Sequence, residues 1–344
     1  MNNNNVPNSE RNLCVMNTPY GLFLYFLICG FNEDDIFVFT KKIPEEIRRN
    51  IDHIYFPVVG IPLKIQKGNM IRRLFFYFYT LFEVLKLRFK LYFKTKNYEL
   101  NVYGHGQLMC AFPLYENENS YIIEDGTGNY VELRPYEEFT FPKKIVLEKL
   151  FGKYIDKEVD GWGTHPNIKK VFLTREGYSP LIKDKVVVKN IDDMISALDE
   201  KDKEKILDIF NCKNLFNDNI LSDASLLLTE AYFESELLSC EEEVNIYRKM
   251  ISGRDNVIIK PHPRDKKDYN ALFPNSKVIP NYFPMEIFKL LDINIKRLLV
   301  VESTTIFNFD CDVEFFEGEI SSEFINNCRK RVKKQYMELN NNLD

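Results

Sequence analysis

Short apolar runs rich in Val, Ile, Leu and Phe alternate along this chain with longer segments whose apolar positions recur every three or four residues. The first pattern predicts buried strands and the second amphipathic helices. Strands are predicted at 12–16, 35–39, 54–57, 99–104, 120–124 and 169–174, with helices at 19–27, 71–91 and 201–210. Thr18 suits the cap of the first helix and Pro19 its first turn. A second alternation follows the polar stretch 211–222. It has strands at 225–229, 256–259, 277–279 and 297–301, helices at 241–251 and 284–291, and a basic amphipathic helix from 321.

Two blocks of alternating β and α elements predict an α/β protein with two domains and a cleft between them. The boundaries expected are 1–215, 216–320 and a C-terminal helix at 321–344. A length of 344 residues fits two domains. The net charge of −5, from 46 basic and 51 acidic residues, gives no global nucleic-acid signature. Seven scattered cysteines without a C-x-x-C pair argue against a disulfide framework or a zinc site and for a reducing compartment. The N-terminus lacks the basic region of a signal peptide, and no long uncharged apolar stretch predicts a membrane span. A cytoplasmic protein is expected.

Three strand ends carry candidate chemistry. Glu124-Asp125-Gly126 puts carboxylates on a turn, where one could take a proton from an attacking hydroxyl; the plainer reading is a turn rich in Asp and Gly. Lys260-Pro261-His262-Pro263 follows an apolar strand, so prolines force an exit at the sheet's edge with a histidine beside a cation; the plainer reading is a loop histidine. Glu302-Ser303-Thr304-Thr305 offers hydroxyls and backbone N–H groups at the start of a helix, an anion site or a simple cap. Asp310-Cys311-Asp312, the one Asp-x-Asp, lies past the last predicted core strand and is a weak metal candidate.

Taken in order, Thr18-Pro19, Glu124-Asp125-Gly126, Lys260-x-His262-Pro263, Pro284-Met285-Glu286 and Ser303-Thr304 resemble the motifs of bacterial sialyltransferases of GT-B fold. The family most similar is glycosyltransferase family 52, over about residues 12–310. The resemblance implies two Rossmann-like domains with the active site in their cleft, and inverting transfer of sialic acid from CMP-sialic acid to a sugar hydroxyl of a surface glycan such as lipooligosaccharide or capsule. It implies a base at Asp125 or Glu124, with Asp125 favoured, and His262 as the acid on the leaving phosphate. Lys260, Pro263, Met285, Glu286, Ser303, Thr304, Thr229 and Thr18 would serve the donor. No metal or other cofactor is implied, and a homodimer is. Another nucleotide-sugar transferase of the same fold, or a polysialyltransferase, is the alternative.

The segment 71–96 is a further feature. Seven basic residues face only Glu83 and interleave with nine Phe or Tyr side chains, and Ile71, Leu74, Phe75, Phe78, Phe82 and Leu85 share one helical face. A core-facing helix with a solvated basic face, or a dimer contact, is expected ahead of a peripheral membrane surface at the inner face, which would suit lipid-linked acceptors. His105 in Gly104-His105-Gly106 could border the acceptor cleft but is expected as a plain loop residue, and His165-Pro166 as a chance repeat of the His-Pro pair.

Overall fold

Parallel sheets are covered on both faces, so their strands bury side chains continuously rather than alternately. That explains the apolar runs. The computed structural model describes residues 9–59, 70–130, 133, 162–213, 224–293 and 295–341. These fall into two compact units, Met1–Asn211 and Cys212–Asp344. The boundary expected at 215/216 lies outside the described residues.

The first unit holds β1 (Glu10–Met16), β2 (Ile36–Thr40), β3 (His53–Phe56), β4 (Glu99–Gly104), β5 (Ser120–Ile123), β6 (Ile168–Leu173) and β7 (Val186–Val188) in the order β3-β2-β1-β4-β5-β6-β7. The second holds β8 (Ser225–Leu228), β9 (Val257–Lys260), β10 (Lys277–Val278), β11 (Arg297–Val300) and β12 (Asp312–Phe315) in the order β10-β9-β8-β11-β12. Every pairing is parallel. Strand order reverses between β1 and β4, and again between β8 and β11. Ligands of open α/β sheets bind beyond the carboxyl ends of strands at such reversals. Thr18, His105 and Asp125 lie just past β1, β4 and β5; Thr229, His262 and Ser303 lie just past β8, β9 and β11.

The Pro19–Cys29 helix starts as the sequence predicts: the Thr18 hydroxyl accepts from the Gly21 N–H at 3.2 Å, and Pro19 fills the first turn. The helix carries no charge, and eight of its eleven residues are buried.

Two edge strands depart from the sequence reading. β7 is three residues long, and β12 shows that Asp310-Cys311-Asp312 leads into one more strand of the sheet. There the Asp312 carboxylate lies 3.6 Å from Arg297, and its N–H donates to the Lys296 carbonyl at 3.0 Å.

The helix at Met70–Thr95 reverses the orientation expected for it. Thr80, Glu83, Val84, Leu87 and Leu91 are its buried residues, with Val84, Leu87 and Leu91 in the core beside Leu13, Val15 and Val38. The Ile71, Leu74, Phe75, Phe78, Phe82 and Leu85 face is exposed. Its sequence carries two apolar stripes, and the smaller one packs on the sheet. No helix among the described residues is long and apolar enough to cross a membrane.

Candidate active site

At the end of β5 two adjacent carboxylates have different surroundings. Glu124 is buried and accepts from the Tyr130 hydroxyl at 2.7 Å, the Thr174 N–H at 2.7 Å, the Thr174 hydroxyl at 2.8 Å and the Tyr20 hydroxyl at 3.2 Å. Burial raises its pKa against the opposing pull of Tyr130, Thr174 and Arg175. Glu124 thus ties the ends of β5 and β6 to the first helix, with its oxygens spoken for.

Asp125 is part-exposed. Its Oδ1 accepts from the Thr18 hydroxyl at 2.8 Å and its Oδ2 from the Gln107 amide. Its own N–H donates to Asn129 Oδ1 at 2.8 Å. Because the Thr18 hydroxyl also accepts from the Gly21 N–H, Asp125 is linked through one hydroxyl to a helix start, where partial positive charge favours an anion.

His105 lies in the loop after β4, as expected, but it is not at the surface. It is fully buried, with Nδ1 3.5 Å from Asp125 Oδ1. Burial lowers its pKa, outweighing the attraction of Asp125, so the imidazole is neutral and the approach is a dipolar contact rather than an ion pair. Gly21 makes its space: a Cβ there would stand 2.1 Å from His105 Nε2. Gln107, Asn129 and Thr174 likewise escaped sequence reading, since each acts through a contact remote in sequence. Gly21, inside a wholly apolar helix, was the visible signal.

In the second unit, the His262 N–H donates to the Thr229 hydroxyl at 3.0 Å, and the His262 carbonyl accepts from the Asp265 N–H at 2.9 Å. Nδ1 of His262 accepts from the Arg264 N–H at 3.0 Å. A backbone N–H can only donate, so the neutral ring carries its proton on Nε2. Burial first, then Arg264 and Lys260, lower its pKa to about 3. At neutral pH this ring is a fixed Nε2–H donor.

Lys260 is buried with its ammonium 4.5 Å from the Phe283 ring centre, and burial lowers its pKa to about 7, opposed by Cys212 and Glu286. Glu286, also buried, accepts from the Asn308 amide at 2.7 Å. Met285 is buried in the core, and Pro263 is exposed. Thr229 is buried and serves the His262 loop from within. Ser303 precedes a single 3-10 turn, Thr304–Asn308, in place of the helix expected there, so no long dipole stands behind it. The Thr304 side chain lies outside the described residues.

Glu234, Glu243 and Asp265 are grouped closely enough to suggest a cation site. The Lys267 ammonium fills that role, 3.2, 3.0 and 3.0 Å from them. His165 is buried with its ring edge against Tyr115, at 5.0 Å between centres.

A model of glycosyltransferase family 52 matches residues 62–320. An uncharacterised Haemophilus influenzae protein is 30% identical over 236 residues, covering 67% of this chain and 73% of that one. Among solved structures, a 2,6-sialyltransferase from a Photobacterium species, in complex with CMP and lactose, aligns with a TM-score of 0.55 at 14% identity, over 93% of this chain and 74% of that one. The GT-B domain of a Photobacterium damselae sialyltransferase aligns at 0.52 and 16%, over 94% and 95%. An α/β-galactoside α-2,3-sialyltransferase of Photobacterium phosphoreum aligns at 0.51 and 13%, over 95% and 96%. With its two parallel sheets, the chain has the GT-B fold, built from two Rossmann-like units.

Proposed function

We propose, since this chain belongs to glycosyltransferase family 52, that it transfers sialic acid from CMP-sialic acid to a sugar hydroxyl with inversion of configuration. The observation that carries this reading is the state of His262. Its Nδ1 is held by a backbone N–H, and its Nε2–H is fixed as a donor for a phosphoryl oxygen. The fold shared with an enzyme crystallised with CMP and lactose supports CMP-sialic acid as donor and a galactose-terminated acceptor.

CMP is a good leaving group, so a single displacement needs a base for the acceptor hydroxyl, charge neutralisation at the phosphate, and alignment. Asp125 is the base, because its oxygens meet two side-chain donors and its side chain stays 10% exposed, while those of Glu124 meet three hydroxyls and a backbone N–H. Thr18 and Gln107 aim that carboxylate. His105 lines it with a neutral ring, which leaves its charge uncancelled.

His262 donates a hydrogen bond to the departing phosphate. The ring is neutral and its Nδ1 already accepts, so it stabilises the departing phosphate through that hydrogen bond and keeps its own Nε2 proton. Lys260 regains its full charge beside the same anion. With the leaving group's charge met by Lys260 and His262, the transfer proceeds without a metal. Ser303, Thr304 and Glu286 complete the nucleotide site, and the acceptor is a surface glycan such as lipooligosaccharide or capsule, sialylated in the cytoplasm.

The test is CMP release from CMP-sialic acid with lactose as acceptor. Wild-type protein should release CMP in step with sialyl-lactose formation, and Asp125→Asn should lower the rate about 10²–10⁴-fold. Full activity in both Asp125→Asn and His262→Ala would overturn the reading.

A further inference from the structure

The two central strands of the second sheet end on a pair of acids. β8 and β11 run parallel with Leu227 opposite Leu299, a register that sets Glu230 opposite Glu302 just past the strand ends. Strand order reverses there, and Glu302 directly precedes Ser303. The backbone of Glu230 is clamped: its N–H donates to the Tyr247 hydroxyl at 2.7 Å, and that hydroxyl donates to Glu243 Oε1 at 3.1 Å. Thr229, one residue back, holds the His262 N–H. Arg264, whose N–H holds His262 Nδ1, acts on Glu230 as well. Glu230 thus stands between the His262 loop and the Ser303 turn.

Two ionised carboxylates side by side would repel an anionic donor. Among the described residues neither forms an ion pair. Adjacent strands lie about 4.7–4.9 Å apart, and like charges on such neighbours keep one proton between them. Their surroundings decide which carboxyl carries it. Burial raises the pKa of Glu302, but Cys328, Tyr232 and Arg331 pull it back. Glu230 faces Glu302 and, from the Cys240–Ile251 helix, Glu243, with only Arg264 attracting its charge. Burial first, then Glu302, push its pKa up to about 8. The proton therefore resides on Glu230. The Tyr232 hydroxyl, 3% exposed and without a closed hydrogen bond, lies among the same groups. Its unused O–H calls for one more acceptor.

We propose that Glu230, as a neutral carboxylic acid, donates a hydrogen bond to an anionic oxygen of the bound donor, on its phosphate or its sialyl carboxylate. A neutral acid meets an anion without repelling it, whereas ionised Glu302 can only accept. The inference rests on the donor reading of this site. Its signature is proton linkage. A bound anion holds the proton on Glu230, so binding above pH 8 takes one up there, and affinity falls as pH rises. Lys260, with its pKa of about 7, takes up another beside the same donor.

Calorimetry of CMP and of CMP-sialic acid, without acceptor, counts these protons at pH 9 in buffers of different ionisation enthalpy. Wild-type protein should take up about two per ligand and Glu230→Gln about one, since an amide donates without titrating. At pH 7, Glu230→Gln should bind within about threefold of wild type, and Glu230→Met about tenfold more weakly for want of the donor. A proton lost with CMP assigns the oxygen to the phosphate; one lost with CMP-sialic acid alone assigns it to the sialyl carboxylate. Equal uptake by wild type and Glu230→Gln with both ligands overturns the proposal and leaves the donor reading standing. Uptake of a single proton by the wild-type protein does the same without any variant. Failure of wild-type protein to bind either ligand overturns the donor reading and this proposal with it.

Discussion

Glu124 and Asp125 are neighbours of similar chemistry, and their surroundings assign them opposite work. Four donors surround the first, so replacing it unmakes a network that joins three elements; fewer hold the second, which keeps a face open. Glu124→Gln should lower unfolding free energy by about 1–3 kcal/mol, because its amide NH2 replaces one acceptor oxygen and faces a buried donor. Asp125→Asn should melt close to wild type while losing transfer. Urea titration beside the transfer assay reads both, and a destabilised Asp125→Asn with an unaffected Glu124→Gln would exchange the roles. Lys260 gives a second prediction. Its folded pKa of about 7 lies below the unfolded value of about 10.4, so between the two the unfolded chain binds more protons. Stability therefore gains from this group as pH rises through that window. Lys260→Met should remove that gain, visible as a difference in urea midpoints between the two proteins that shrinks toward high pH. An unchanged pH dependence would mean the ammonium is not buried as described.

The Pro19–Cys29 helix, with the β4–β5 turns, shows what sequence reveals of an element and what it hides. Its cap, its first-turn proline and its apolar character were all legible, because each is local. That Gly21 exists to admit His105 was not, because the two are joined only by the pairing of β1 with β4. Ala in place of Gly inside a helix ordinarily stabilises by about 1 kcal/mol. Here the new methyl would meet the imidazole at 2.1 Å, so Gly21→Ala should instead cost about 1–3 kcal/mol by overpacking. Adding His105→Ala should restore much of that loss, and a thermal-melt double-mutant cycle measures the coupling. Independent effects would sever the link. The edge strands β7 and β12 were missed for a related reason: both are short and flanked by charge, and only a neighbouring strand makes them extended. The Met70–Thr95 helix was legible as a helix, but its orientation was not, because periodicity reports that two stripes exist and not which of them meets the sheet.

For the whole molecule, the order of candidate motifs was legible because all but Pro284-Met285-Glu286 sit just past the carboxyl end of a parallel strand, where apolar runs stop abruptly. The loops' internal contacts, such as Glu286 to Asn308 or Lys267 among three carboxylates, were not, since they join segments that no spacing relates. Ligand linkage extends to global stability. CMP at about 100 times its Kd should add about 2.7 kcal/mol to unfolding free energy, and UDP at the same concentration should add less. An equal thermal shift from UDP would point to a different nucleotide donor.

The place of β1 in the first sheet has a consequence for how the protein is made. β1 is central, with β2 on one side and β4 on the other, and Glu10 pairs with Glu99. Translation at about 5–20 residues per second delivers β4 roughly 5–20 s after β1. Throughout that interval the uncharged Pro19–Cys29 helix and one edge of β1 stand without their final cover. Synthesis in a cell-free system lacking ribosome-associated chaperones is where the cost of that delay should show, as aggregation of nascent chains stalled before residue 99.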